Sequence, residues 1–181
     1  MKGIILSEFV EFLEEQLGFE IAQQIIDDSG VASKGAYSRV GQYDYQELIQ
    51  LLTQTVKETS KSADELIQPF ANHLFKVFRR DYSVFFDGVN SAAHMLTTID
   101  DHIHVEVKKL YPDAELPKFN YDDTGDQLIL NYQSPRPLAD IAQAMVIGCL
   151  QFFDDKETLA EAILADDRCS ARFVIHKQVQ T

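Results

Sequence analysis

Three hydrogen-bond donors, Tyr132, Ser134 and Arg136, stand at alternate positions of the sequence. In an extended strand, residues two apart leave the same face, so we predict that all three side chains point one way. A phenol, an alcohol and a guanidinium on one face form a receptor for carboxylates or phosphates, and the arginine fork can bind a carboxylate through two parallel bonds. Because Pro135 and Pro137 cannot donate to a sheet ladder, we expect the triplet where a strand ends and opens into a helix.

Two histidines in the middle of the chain are candidate metal ligands. His102 and His104 are two residues apart, which is about 200° around a helix, so they cannot bind one small ligand together. They flank a predicted core stripe on opposite sides, and periodicity alone does not choose between them. A single histidine on a helix is more often solvated or hydrogen-bonded than a ligand. The stripe consists of Leu96, Ile99, Ile103, Val107 and Leu110.

The elements that must position these residues divide into two groups. Helical periodicity and start and stop signals predict helices over 4–17, 20–27, 45–59, 62–78, 89–97 and 98–110. Ser62 and Glu65 form a capping box, and Pro69 is expected to kink the helix that follows. Residues 30–44 are predicted to form a loop, and 81–88 a turn or short helix.

The second group lies after Tyr111-Pro112. Residues 119–121 and 127–132 predict one β-hairpin, 158–164 and 170–177 a second, and 138–153 a long apolar helix. The fold class is therefore α+β, with a mostly helical N-terminal part and a C-terminal part that combines a small antiparallel sheet with the long helix.

Composition and charge exclude several partners. The 181 residues are 45% hydrophobic and 25% charged, as in a soluble globular protein. Acidic residues outnumber basic ones by 29 to 16, for a net charge of −13, so neither nucleic acid nor an anionic membrane is an expected partner. No signal peptide and no membrane span are recognisable, and two cysteines are too few for a disulfide framework. We expect a cytoplasmic protein.

The motif and the histidine helix together resemble the haem nitric oxide/oxygen-binding domains (H-NOX), found alone in bacteria and as the sensor of soluble guanylate cyclase. The triplet matches the family's Y-x-S-x-R motif, and one histidine, His104, lies seven residues before the Tyr-Pro pair. The resemblance covers essentially the whole chain. It also includes Met1-Lys2-Gly3-Ile4-Ile5 and the stretch from Tyr111-Pro112 to Leu116-Pro117.

The resemblance implies a cofactor and its contacts. His104 would be the axial ligand of haem b (iron protoporphyrin IX), and the Y-x-S-x-R motif would bind both propionates. Ile5 and Pro117 would press on the porphyrin and hold it out of plane, while His102 would be a surface residue. One domain over residues 1–181 is implied, with a helical distal part (1–65), a proximal part (66–181) and the haem bound between them.

The resemblance also bears on the choice of gas. Members that hold oxygen place a tyrosine hydroxyl five residues after the motif's arginine, and here that position is Ile141. The companion polar positions of those members correspond to Phe9 and Leu74, which are apolar. Bound oxygen needs a hydrogen-bond donor far more than nitric oxide does. We therefore expect a selective nitric oxide sensor that binds carbon monoxide more weakly and does not hold oxygen.

Signalling would follow from the loss of one bond. Nitric oxide would break the bond between iron and His104, the helix would lose its tether, and the haem would relax towards planarity. Because Ile5 and Pro117 lie on different elements, this relaxation could shift the two parts of the domain. The family analogy points to a separate effector, either a sensor histidine kinase or an enzyme that makes or degrades cyclic di-GMP.

Two alternative functions are weighed against this interpretation. One is a haem-free small-molecule-binding or interaction module, in which the triplet serves another acid. The other is a metal-dependent enzyme that uses His102 or His104 with Asp100 and Asp101, but these residues do not share a helical face and no H-E-x-x-H spacing occurs. No catalytic constellation is recognisable, so no enzyme activity is expected. Cys169 alone matches the zinc site of some relatives, so no structural zinc is expected.

Overall fold

The computed structural model describes residues 1–153 and 157–177 of the chain. Within these residues it contains seven α-helices and a four-stranded antiparallel sheet, which confirms the predicted α+β class. The chain divides into two compact units, Met1–Leu74 and Phe75–Thr181. Among the described helices, none combines the length and the apolar character that a membrane crossing requires.

The first unit is helical. It contains α1 (Gly3–Leu17), α2 (Phe19–Ser29), α3 (Gln46–Thr59) and most of α4 (Ala63–Asp81). Gly18, with φ of 86°, separates the first two helices, because only glycine adopts this conformation without strain. The core of the first unit is largely aliphatic. It includes an aromatic cluster in which the rings of Phe9 and Phe70 meet edge to face, with 4.8 Å between their centroids.

Helix α4 begins at the predicted capping box. The backbone N–H of Ser62 donates to Glu65 at 2.8 Å, and the N–H of Glu65 donates to the Ser62 hydroxyl at 3.3 Å. The helix continues through Pro69 and ends at Asp81, beyond the predicted end at residue 78. A proline removes one backbone bond, and the buried side chains on either side of it, such as Leu66 and Leu74, keep the helix packed.

The second unit begins with short helical pieces. Ser83–Phe86 is a 3-10 turn, α5 covers Ala92–Thr97, Ile99–Ile103 is a π-helical turn, and α6 covers His104–Leu110. Helix α5 starts later than predicted because the Ser91 hydroxyl caps it by accepting from the N–H of His94. The expected uninterrupted α-helix over 98–110 is wrong in its first part, since the Thr98 carbonyl accepts from both His102 and Ile103.

Both predicted hairpins form, and they join in one sheet. Strands β1 (Lys118–Asp123) and β2 (Gln127–Gln133) pair, as do β3 (Thr158–Leu164) and β4 (Ser170–His176). A further pairing of β2 with β4 gives the order β1-β2-β4-β3, with Leu130 opposite Phe173. Helix α7 (Ala139–Phe153) contributes buried residues, including Cys149, to the same core cluster as the inward faces of β2 and β4.

Candidate functional site

His104 occupies the first position of α6, where the π-helical turn ends. Its side chain is 17% exposed. Nδ1 lies 2.7 Å from a carboxylate oxygen of Asp100, one turn earlier. Because an ionised carboxylate can only accept, Nδ1 carries the hydrogen and Nε2 keeps its lone pair. No residue in the described ranges hydrogen-bonds Nε2, so the side chain can act as a ligand through this atom.

The surroundings of His104 favour the neutral imidazole. Burial lowers its pKa below the ordinary value for histidine, and the charge of Lys108 lowers it further. The charge and the hydrogen bond of Asp100 act in the opposite direction without cancelling the shift. A neutral imidazole with an available Nε2 is the form that binds iron.

The Y-x-S-x-R motif begins in β2 and leaves it. Tyr132 is buried and paired with Phe119 of β1, and the strand ends at Gln133. Ser134 and Arg136 therefore lie in the turn between β2 and α7, and the Ser134 hydroxyl accepts from the Arg136 N–H at 3.0 Å. The predicted place, between a strand and a helix, is confirmed. Of the three donors only Tyr132 lies in the strand, so the expectation that the strand itself carries all three is wrong. The Ser134 side chain and the Arg136 charge still act on the Tyr132 phenol.

Burial raises the pKa of Tyr132 above its ordinary value. The Ser134 hydroxyl and the positive charge of Arg136 oppose this rise, and Cys169 adds to it. The phenol therefore keeps its hydrogen at neutral pH and remains a donor. The residue Ser134 is 9% exposed. Because its hydroxyl oxygen already accepts from the Arg136 N–H, the hydroxyl hydrogen is available to another acceptor.

Arg136 already binds a carboxylate in this structure. Its guanidinium, 15% exposed, forms an ion pair with Glu115 and donates to the backbone carbonyl of the same residue at 3.4 Å. Glu115 lies in the segment that joins α6 to β1 and is 65% exposed. The partner of this arginine is thus an acid, in accordance with the receptor chemistry predicted for the motif.

Phe119 connects the two halves of this arrangement. Its ring lies 6.0 Å from the His104 ring and 5.3 Å from the Tyr132 ring, measured between centroids. Its backbone N–H donates to the second carboxylate oxygen of Asp100 at 2.9 Å. The histidine and the motif therefore share one aromatic neighbour within the second unit.

The comparisons with known proteins give the family. The model of the Haem-NO-binding family matches residues 2–161. The chain belongs to this family. An Fe(II) unliganded H-NOX protein from K. algicida is 34% identical, with 99% of this chain and 98% of that chain covered and a TM-score of 0.87.

Other solved H-NOX structures agree in fold. The IWP-051-bound H-NOX from Shewanella woodyi, in the Fe(II)CO state, is 32% identical over 98% of this chain and 95% of that chain, with a TM-score of 0.82. An H-NOX protein from S. oneidensis in the Fe(II)NO state is 22% identical, covers 99% and 100%, and has a TM-score of 0.87. No curated protein matches the chain significantly. Members of this family are haem-based gas-sensing domains and not themselves enzymes.

The remaining predicted site residues of this H-NOX domain lie in both units. Pro117, just before β1, and Ile141, in α7, are half-buried in the second unit. In the first unit, Phe9 and Leu74 are 1% and 2% exposed, and Ile5 on α1 is half-buried. The residues predicted to lie on the distal side, Phe9, Leu74 and Ile141, are thus apolar and at least half-buried.

The alternative ligand, His102, is engaged elsewhere. Its Nε2 lies 3.1 Å from the backbone carbonyl of Val84, and its side chain is half-buried rather than fully at the surface. Within the predicted core stripe, Leu96 is buried, but Leu110 is 52% exposed because it is the last residue of α6. The stripe therefore ends one turn earlier than the sequence indicated.

Sequence reasoning missed two contributors to this H-NOX site. Asp100 enters the sequence analysis only in the rejected metal-enzyme alternative, although an acid and a histidine four residues apart commonly meet on one face of a helix. Glu115 gave no signal, because it lies twenty-one residues from Arg136 in the sequence and reaches it only through the fold.

Proposed function

We propose that this cytoplasmic domain binds haem b through His104 and senses nitric oxide. The observation that carries the proposal is the state of the imidazole. Its Nδ1 is held by Asp100 at 2.7 Å, and its Nε2 has no hydrogen-bond partner among the described residues. A carboxylate that fixes the tautomer in this way is typical of metal-ligating histidines.

The donors of the motif suit the acid groups of the same cofactor. Tyr132, Ser134 and Arg136 would bind the haem propionates through a neutral phenol, a hydroxyl and a guanidinium. The ion pair of Arg136 with Glu115 supports this role, since it demonstrates that a carboxylate fits against the guanidinium. Pro117 and Ile5 would contact the porphyrin through apolar surface.

The haem held by His104 would supply one open coordination position for a diatomic gas, and binding of nitric oxide would release the His104 imidazole. The choice of gas depends on the residues proposed for the distal side. Phe9, Leu74 and Ile141 carry no hydrogen-bond donor, and the first two are almost fully buried in their own unit. Oxygen would gain no hydrogen bond from these positions, whereas nitric oxide needs none. Carbon monoxide is expected to bind more weakly than nitric oxide.

His104 would transmit the signal when its bond to the iron is lost. Its imidazole would tie α6 and the π-helical turn to the cofactor. After its release, the segment would be held by protein contacts, among them the bond of Asp100 to the Phe119 N–H and the packing of Ile103 and Val107 on the core. A two-state change of this segment could be read by a separate protein, for which a sensor histidine kinase or a cyclic di-GMP enzyme is proposed.

An absorption spectrum of the reduced, haem-loaded protein tests the proposal directly. Addition of nitric oxide should shift the main band to the position of a haem without a histidine ligand, and air should produce only slow oxidation. A protein that stays colourless after supplementation with hemin would refute haem binding and favour the haem-free acid-binding module. A stable oxygen complex would retain the cofactor and refute the choice of gas.

A further inference from the structure

Asp100 makes two separate hydrogen bonds with its two carboxylate oxygens. Oδ1 lies 2.7 Å from Nδ1 of His104, and Oδ2 accepts from the backbone N–H of Phe119 at 2.9 Å. The first contact is with the proposed iron ligand, and the second is with the second residue of β1. One half-buried side chain thus joins the histidine to the sheet.

The first bond determines which ring nitrogen is available. A carboxylate accepts hydrogen bonds and donates none, so Nδ1–H must point at Asp100 and Nε2 must carry the lone pair. In a neutral imidazole without this partner, the hydrogen could reside on either nitrogen. Asp100 therefore selects the tautomer that can bind iron, and it also fixes the rotation of the ring about its bond to the main chain.

The second bond restrains Asp100 itself. With Oδ2 held by a strand amide, the carboxylate cannot rotate away from the imidazole without leaving the Phe119 N–H without its acceptor. The neighbouring acid, Asp101, differs in this respect: it is exposed, and its side chain makes no hydrogen bond or ion pair with any described residue. The chain thus provides a matched control of equal charge one residue away.

We propose that Asp100 is the positioning residue of the iron-ligating imidazole and sets how firmly His104 is held. This inference rests on the proposed function. A carboxylate that accepts from Nδ1–H raises the basicity of the ring. Nε2 therefore gives its electron pair to the iron more strongly and is released less readily. Since Asp100 is also bonded to β1, a displacement of His104 is passed to the strand that follows Pro117.

The substitutions Asp100→Asn, Asp100→Ala and Asp101→Asn test the proposal. In haem-free protein, the ¹⁵N shifts of the His104 ring should report hydrogen on Nδ1 in the wild type and in the Asp101 variant, and a mixture of tautomers in Asp100→Ala. In reduced haem-loaded protein, the frequency of the iron–histidine vibration should be highest in the wild type, lower in Asp100→Asn and lowest in Asp100→Ala. Haem transfer to apomyoglobin should become about 10- to 100-fold faster in Asp100→Ala.

The outcomes distinguish this inference from the proposed function. If the wild type shows an iron–histidine vibration that none of the Asp100 substitutions changes, the positioning role is refuted and haem binding stands. If the wild type binds no haem, the proposed function fails, and the tautomer measurement still decides whether Asp100 orients the ring. If Asp100→Asn and Asp101→Asn changed the iron–histidine vibration and haem loss equally, the loss of one negative charge would explain both, and the positioning role would be refuted.

Discussion

Phe119 and Tyr132 stand opposite each other on β1 and β2, with ring centroids 5.3 Å apart. The same Phe119 ring lies 6.0 Å from the imidazole of His104. The residue proposed to bind iron and the residue proposed to bind a propionate are therefore connected through one side chain. A change at Phe119 should affect both ends of the site, although Phe119 itself carries no polar group.

Replacement of Phe119 by alanine should lower the free energy of unfolding by roughly 1–3 kcal/mol, less than for a fully buried ring, because the side chain is half-buried. Haem transfer to apomyoglobin should be faster in this variant, since both neighbours lose a packing partner. Denaturant titration and the transfer rate measure the two effects. Tyr121→Ala is the matched control, because Tyr121 is 48% exposed on the same strand. Equal haem loss in both variants would contradict a connecting role for Phe119.

Replacement of His104 by glycine should remove the ligand without filling its place. The variant should give the absorption band of a haem without a histidine ligand, and imidazole added to the solution should restore the wild-type band. His102→Gly should leave the band unchanged, because His102 is engaged with the Val84 carbonyl. Loss of the band in His102→Gly and its retention in His104→Gly would reverse the assignment. Once a partner is known, its regulation by His104→Gly should resemble regulation by the nitric oxide-bound domain.

Local signals predicted most of the elements. The capping box of Ser62 and Glu65 forms as expected, Gly18 separates the first two helices, and both predicted hairpins pair. These features depend on residues that are close in the sequence, where capping, turn chemistry and periodicity act directly.

Features that depend on distant residues were not predictable in the same way. The pairing of Leu130 with Phe173 joins the two hairpins, and the contact of Arg136 with Glu115 crosses twenty-one residues. The π-helical turn before His104 arises because the Thr98 carbonyl accepts from two amides, and no periodicity marks such a bond. The haem contacts are predictions that come from the family resemblance, because periodicity alone did not choose between His102 and His104.

Replacement of Ile141 by tyrosine should give the domain a hydrogen-bond donor at the position where oxygen-binding relatives carry one. Oxygen affinity of the reduced protein should rise about 10- to 100-fold, the range expected for one hydrogen bond to a charged group. Ile141→Phe provides the same bulk without the hydroxyl and should not gain oxygen binding. Oxygen titration of both variants by absorption measures the difference. A comparable gain in the phenylalanine variant would attribute the effect to shape and contradict the polarity argument.

Replacement of Glu115 by glutamine should strengthen the hold of Arg136 on a propionate, because a competing negative charge is removed. The gain should be small, within about 1 kcal/mol or roughly fivefold in the haem dissociation rate, since Glu115 is 65% exposed. Arg136→Ala should act in the opposite direction and by more, because a half-buried charged donor is lost. Haem transfer measures both. Faster haem loss in Glu115→Gln would mean that this acid orients the guanidinium rather than competing for it.

In the first unit, the hydrogen bond between Tyr37 and Glu47 should make the free energy of unfolding depend on pH. Glu47 is 7% exposed and accepts from the Tyr37 hydroxyl at 2.7 Å. Burial, then the hydrogen bond and the charge of Glu47, raise the pKa of Tyr37 far above its ordinary value. The folded state therefore keeps the phenol protonated at pH values where the unfolded chain ionises. The stabilisation from the Tyr37–Glu47 hydrogen bond is thus complete below the unfolded pKa of about 10 and declines as the pH rises above it.

Tyr37→Phe should lower the free energy of unfolding by about 1–3 kcal/mol at pH 7, and the difference from the wild type should narrow above about pH 10. Tyr45→Phe is the control, because no residue in the described part of the chain hydrogen-bonds the Tyr45 hydroxyl. Denaturant titrations at pH 7 and pH 10.5 measure the effect, and a difference that stays constant with pH would show that the Tyr37 phenol does not ionise more readily in the unfolded chain.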